Sequence, residues 1–156
     1  MTEKFFDAIR KKNVEALPEE IVRQSLLKIM VEKLRYPKDL IAVEKDLGQL
    51  PHLKDVVVPL KRRADIICFA NNIHPVYELY PLLMIECKAG KLIKEHVDQV
   101  VGYNYFVKSY FIAIASAEEI KTLWYNKKKG GYEVVNFLPA HEELMRVVLN
   151  GKSQTV

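Results

Sequence analysis

Cysteine is scarce in this chain: Cys68 and Cys87 are its only two, and neither stands at ligand spacing from His52, His74, His96 or His141. A zinc-finger type of site, which needs Cys and His in close pairs, is thereby excluded. No basic-then-apolar stretch opens the sequence, and no apolar run approaches the roughly 20 residues that a membrane span requires. Neither a secretory signal nor a membrane association is expected, and a reducing cytoplasm is the expected compartment. Glycine and proline are also few, 6 and 7 in 156 residues, which excludes collagen-like and low-complexity architectures. No Gly-rich loop ending in Gly-Lys-Ser/Thr occurs, so ATP-driven motor activity is not expected of these residues.

What is present describes an ordinary globular protein, 49% hydrophobic and 28% charged. Its length suits one core, expected over residues 1–150, with a frayed tail over 151–156. The formal charge is +4 and the isoelectric point about 8.9. That balance favours a polyanionic partner only modestly, since many proteins with no nucleic-acid role carry as much.

A short opening helix is expected around Phe5–Lys12. A longer one follows from Pro18 to Leu34, because proline suits a first helical turn and Glu19 and Glu20 sit at the positive end of the helix dipole. Ile21, Val22, Leu26, Ile29, Met30 and Leu34 recur at roughly helical spacing and are expected to meet the core. Tyr36-Pro37 ends the helix. Strand-like segments come next at Leu40–Leu47, Val56–Leu60, Arg62–Phe69 and Tyr80–Cys87, a run of antiparallel hairpins. Leu92–Lys108 returns to helical period, and the short apolar run Tyr110–Ala115 reads as a strand covered on both faces. A hairpin of Lys121–Asn126 and Tyr132–Phe137 across Gly130-Gly131, then a helix over Ala140–Leu149, complete an α/β sandwich around a mixed sheet.

One constellation carries chemistry. Glu86 and Lys88 lie two apart on a strand and share a face, while Cys87 points the other way. If the preceding hairpin folds near Pro75 and Val76, Asp65 falls opposite Glu86. Cross-strand neighbours lie roughly 5 Å apart, and two carboxylates there repel unless a cation or a proton intervenes. Mg²⁺ answers such a pair, since it takes one or two carboxylates and keeps several waters. Lys88 can then orient the attacking water, help deprotonate it, or stabilise developing charge. The same residues also fit an exposed strand edge with a charged pair worth about 1 kcal/mol or less. Glu119-Ile120-Lys121 repeats the three-letter pattern with no acidic strand before it, so the pattern alone is not specific. Cys68 and Cys87 stand at odd offsets from Asp65 and Glu86, which predicts buried thiols on the core side.

Pro18-Glu19-Glu20-Ile21-Val22-Arg23-Gln24, Tyr36-Pro37, Arg62-Arg63-Ala64-Asp65-Ile66, Ile85-Glu86-Cys87-Lys88-Ala89, and Asp98-Gln99 with Tyr103-Asn104-Tyr105 together resemble the N-terminal nuclease domain of type I restriction enzyme R subunits, within the PD-(D/E)XK superfamily. The likeness runs from about Pro18 to Ser116. It implies a restriction-endonuclease-like three-layer sandwich, with Asp65 and Glu86 binding metal, the main-chain carbonyl of Cys87 as a further ligand, and Lys88 catalytic. It also implies a carboxylate from the first helix, Glu20 or its neighbour Glu19. Gln99 and Tyr103 match a Gln-x-x-x-Tyr helix of one branch, and at i and i+4 they share a helical face; they equally fit a polar pair on a core helix. Type I R subunits continue into a helicase motor, for which no phosphate loop is present here, so a substrate is expected to be found by diffusion or through a partner protein.

The resemblance therefore points to an Mg²⁺-dependent DNA endonuclease, with Mn²⁺ as substitute metal, acting as a homodimer or with a recruiting partner. A non-catalytic nucleic-acid-binding or assembly module of the same fold is the alternative, and enzymes acting on RNA or branched DNA share the same sheet and site. Basic clusters at Lys61-Arg62-Arg63, Lys88-Lys91-Lys94 and Lys127-Lys128-Lys129 suit backbone phosphates, though the last, beside Gly130-Gly131, equally suits a solvated turn.

Overall fold

The computed structural model describes residues 3–54 and 62–153. The chain opens on a hairpin: β1 (Lys4–Asp7) pairs antiparallel with β2 (Lys12–Glu15). This corrects the helix expected around Phe5–Lys12. Asp7 is the reason, because its carboxylate accepts from the backbone N–H of Ile9 at 2.8 Å and of Arg10 at 3.0 Å. Such a side-chain turn competes with helical bonding, and Lys11 completes it at a left-handed φ of 55°.

Helix α1 (Pro18–Glu32) begins on its proline as expected. Its exit is made by Arg35, at a φ of 61°, and by the Tyr36 N–H reaching back to the Met30 carbonyl at 2.9 Å. Buried Tyr36 then donates its hydroxyl to the carbonyl of Pro139 at 2.7 Å, tying the helix end to the far side of the chain. The buried face of α1 is Val22, Leu27 and Met30 together with Glu20 and Arg23. Ile21 and Ile29, expected in the core, are 45% and 43% exposed. The helix is rotated so that a charged pair, rather than those isoleucines, faces inward.

The remaining elements are β3 (Ile41–Asp46), β4 (Arg63–Asn71), β5 (Leu79–Cys87), α2 (Lys94–Val107), β6 (Phe111–Ala115), β7 (Ile120–Asn126), β8 (Gly131–Val135) and α3 (His141–Ser153). The strand expected over Val56–Leu60, and Lys61 of the first basic cluster, lie outside the described residues. β3 to β8 form a six-stranded sheet in sequence order. Every neighbouring pair is antiparallel except β5 and β6, which run parallel with α2 as the crossover between them.

The fold is a three-layer α/β sandwich. On one face Ile66, Leu83, Ile85 and Ala113 pack with Val22, Leu27 and Met30 of α1 and Leu144 and Val148 of α3. On the other, Ile67, Met84 and Ile112 pack with Val100, Tyr103 and Val107 of α2, and with Leu47, Leu50 and Leu53 from the turns after β3. Cys68 and Cys87 are free and buried, and burial pushes both thiols up, Cys68 to about 12. Neither thiolate forms readily near neutral pH, which removes the nucleophile that redox chemistry needs.

A bulge in the central hairpin decides what faces what. Near the turn Asn71 pairs with Leu79 and Phe69 with Pro81, but the register shifts between Cys68 and Phe69, so that Ile66 pairs with Ile85. Continued by one residue, that register sets Asp65 against Glu86. Without the bulge Asp65 would face Ile85 instead.

The rotation of α1 has a measurable consequence. Met30→Ala, at a fully buried position, is expected to lower unfolding free energy by about 2–5 kcal/mol. Ile29→Ala is expected to cost under about 1 kcal/mol. Urea denaturation of both variants checks the difference.

Candidate active site

The two carboxylates meet where β4 begins and β5 ends. Asp65 is half-buried, and its Oδ2 accepts the main-chain N–H of Cys87 at 2.8 Å, so the aspartate is fastened to the strand that carries Glu86. Glu86 is buried at 7% exposure, although it is charged in most settings. Burial first, then the Asp65 charge and a hydrogen bond with Asp65, push its pKa up to about 8, against the opposing pull of Lys88 and Arg62. A buried carboxylate beside another favours a shared proton or a nearby cation.

Lys88 follows on the same face of the chain. Its main-chain N–H donates to the Ala115 carbonyl at 2.8 Å, extending the β5–β6 pairing past Cys87, and its ammonium donates to Gln99 Oε1 at 3.2 Å. Gln99 and Tyr103 share a helical face at i and i+4. Arg62 covers the Tyr103 ring with its guanidinium 4.3 Å from the centroid, a cation–π contact. Asp65, Glu86, Cys87, Lys88, Gln99 and Tyr103 are thus brought into one corner. The competing Glu119-Ile120-Lys121 lies elsewhere: Glu119 is exposed and Lys121 bonds Asn136 at 3.2 Å.

Glu20 joins through arginine. Arg23, 6% exposed, donates from Nη1 to Glu20 Oε2 at 2.6 Å and from Nη2 to Asp65 Oδ1 at 2.5 Å. Arg10, from the turn after β1, binds the other oxygen of Glu20, and also Asp7 at 2.6 Å and Glu44 at 3.0 Å. Glu44 lies 3.5 Å from Arg23 as well, and Gln24 donates to Asp7 at 2.9 Å. Glu20 is buried whereas Glu19 is exposed. An open cleft of about 640 Å³, lined in part by Arg10, Glu19, Glu20, Arg23, Glu44 and Ala89, adjoins this network.

Sequence reasoning missed Arg10, Arg23, Glu44 and Asp7 as parts of the site. Arg23 alone left a local signal, since it stands three residues after Glu20 on one helix face. Arg10 and Glu44 come from distant segments and left none. Among the described residues, no group of three or more His, Cys, Asp or Glu converges to hold a metal ion. The carboxylates in the corner are those of Asp65 and Glu86.

The family model for the type I restriction enzyme R protein N terminus matches residues 18–139. The chain belongs to that family. No curated protein and no solved structure matches it. In this type I restriction R-protein N-terminal domain, the matched span runs from the first residue of α1 to the loop before α3 and holds every residue of the corner. Arg10 and Asp7, in contrast, reach it from the hairpin that precedes the span. No helix among the described residues is long and apolar enough to cross a membrane.

Two measurements follow from the charges. Burial and the Asp65 charge raise the Glu86 pKa from 4.5 to about 8, so the carboxylate pair holds a proton in the folded chain that a free side chain would lose. The folded state therefore binds more protons between those values, so stability falls as pH rises through that window in metal-free buffer. Glu86→Gln is expected to remove most of that slope, checked by urea denaturation across pH. Arg23→Met, which strips one partner from a buried network, is expected to cost about 3–5 kcal/mol in the same assay.

Proposed function

We propose that this domain is a metal-dependent endonuclease that hydrolyses DNA phosphodiester bonds. The observation that carries the reading is the pairing of Asp65 with Glu86 at a strand end, with Lys88 one alternation further on and held by Gln99. Membership of a restriction-enzyme family supports DNA as the substrate class.

Asp65 and Glu86, with the Cys87 carbonyl, form a hard-oxygen donor set of the size that Mg²⁺ takes while keeping its waters, and Mn²⁺ suits the same set. The burial of Glu86 beside Asp65 fits this assignment, because a bound cation would relieve the like-charge cost that now raises the Glu86 pKa. The chemistry such a cation would supply there is a lowered pKa for a coordinated water and neutralisation of charge on the phosphodiester. Lys88, held by Gln99, would orient an attacking water, assist its deprotonation or meet developing charge. Tyr103 and Arg62 wall the site and offer a cation to a neighbouring phosphate. Glu20 acts through Arg23, which holds one Asp65 oxygen; for Glu20 to become a direct ligand it must exchange a guanidinium for the ion.

One observation favours a second reading, a non-catalytic nucleic-acid-binding module. Arg23 already neutralises Asp65, so part of the charge compensation that metal would supply is built into the chain.

Nicking of supercoiled plasmid DNA separates the two. The full chain is expected to nick with Mg²⁺ or Mn²⁺, and Lys88→Ala to slow nicking by about 10²-fold or more while remaining folded. If the parent neither nicks nor gives a saturable heat signal of either sign on calorimetric titration with Mg²⁺, yet still binds DNA after Asp65→Ala, the binding-module reading stands instead.

A further inference from the structure

At the turn end of the β4–β5 hairpin, away from the carboxylate pair, lies a second cleft of about 730 Å³. Its floor is a set of rings. His74 stacks on Tyr80 with centroids 4.3 Å apart and planes 17° from parallel, His52 lies 4.7 Å from Tyr80, and Tyr77 lies 5.2 Å from His74. Hydrogen bonds fix the floor: Tyr80 donates its hydroxyl to the Lys108 carbonyl at 2.6 Å, and His74 Nδ1 accepts from the N–H groups of Val76 and Tyr77. Burial lowers the His52 pKa, so its neutral ring donates Nε2–H to the Val107 carbonyl at 2.6 Å.

Tyr80 is buried and His52 and His74 half-buried, so these three rings have an ordinary structural use. The rings around the rim do not. Tyr77, Tyr105 and Tyr125 line the same cleft at 37%, 76% and 53% exposure. Three large aromatic faces left in water around one concavity are more than packing requires. Among the described residues no carboxylate lines the cleft, whereas Lys108 does, and Tyr125 continues into an adjoining hollow lined by Lys127. Aromatic faces with cations and without anions complement a nucleic acid whose bases are unstacked, since a duplex hides its base faces and a single strand offers them.

We propose that this cleft binds single-stranded DNA, stacking bases on Tyr77, Tyr105 and Tyr125 and setting phosphates against Lys108 and Lys127. The choice of DNA rests on the substrate proposed above; the stacking surface stands on its own geometry. The cleft lies roughly 13 Å further along α2 than Gln99, at about 1.5 Å per residue over the steps to Lys108. A strand held there is displaced from the strand at the carboxylates, which suits an enzyme acting where a duplex is partly opened.

The test is fluorescence anisotropy of a labelled oligothymidylate of about 15 nucleotides, within the range one such surface covers. It uses the full chain in EDTA, so that neither metal nor cleavage enters and failure of the nuclease reading leaves the measurement intact. Parent protein is expected to bind. Tyr105→Ala and Tyr77→Ala are each expected to weaken binding by roughly fivefold to a hundredfold, and Tyr105→Phe, which keeps the ring, to stay within about twofold of parent. Absence of binding by the parent, unchanged binding by both alanine variants, or a Tyr105→Phe loss as large as that of Tyr105→Ala overturns the proposal. Circular dichroism confirms that the variants are folded, which the exposure of Tyr105 favours.

Discussion

Two carboxylates in one poorly solvated corner repel each other, and much of the surrounding structure answers that repulsion. Asp65 and Glu86 cannot both sit ionised side by side without compensation. Arg23 answers it on one side, bound to Asp65 and anchored in turn by Glu20 and Glu44. Lys88 and Arg62 answer it on the other, each pulling against the upward shift of Glu86. Arg10 extends the alternation outward to Asp7. Buried ion pairs of this kind add little net stability relative to apolar packing, yet breaking one strands a charge. Their effect is to hold each carboxylate in one place, which a reactive site requires.

The backbone prepares that corner. A one-residue bulge in the β4–β5 hairpin brings Asp65 into line with Glu86, and the Cys87 N–H locks the aspartate there. The parallel pairing of β5 with β6 carries the strand on to Lys88. Helix α2, returning over the sheet, points Gln99 and Tyr103 back toward the same end while Val100 and Val107 fill the core. The packing that closes the apolar layer thereby also aims the polar side chains. At its other end, α2 and the hairpin turn form the aromatic cleft, so the two ends of one helix carry different chemistry.

Much of this was legible in the residues. Period-two alternation put Glu86 and Lys88 on one face and Cys87 on the other, and the hairpin midpoint suggested Asp65 as partner. Helical spacing joined Gln99 to Tyr103. These inferences are local, or depend on one turn, and local geometry is nearly independent of context. The opening segment was misjudged because Asp7 uses its side chain to build a turn, which overrides weak periodicity. The inward face of α1 was read correctly at Val22, Leu26 and Met30, as was Leu34 just after it, but misjudged at Ile21 and Ile29, which outweigh Glu20 and Arg23 in any reading that scores only apolarity. Once opposite charges are available to meet them, the charged pair turns inward.

By itself, then, the sequence determined the order of the longer strands and helices among the described residues from Pro18 onward, the family, and which carboxylates and lysine share the sheet end. Those features follow from periodicity and steric rules that act over a few residues. Only the tertiary structure decided that Arg10 and Glu44 converge on Glu20 and Arg23, that Arg62 covers Tyr103, and that Tyr77, Tyr105 and Tyr125 ring one cleft. The physical reason is that these groups come from segments far apart in the chain. Coulomb forces and ring stacking act through space, so their partners are set by the fold as a whole and leave no spacing to read.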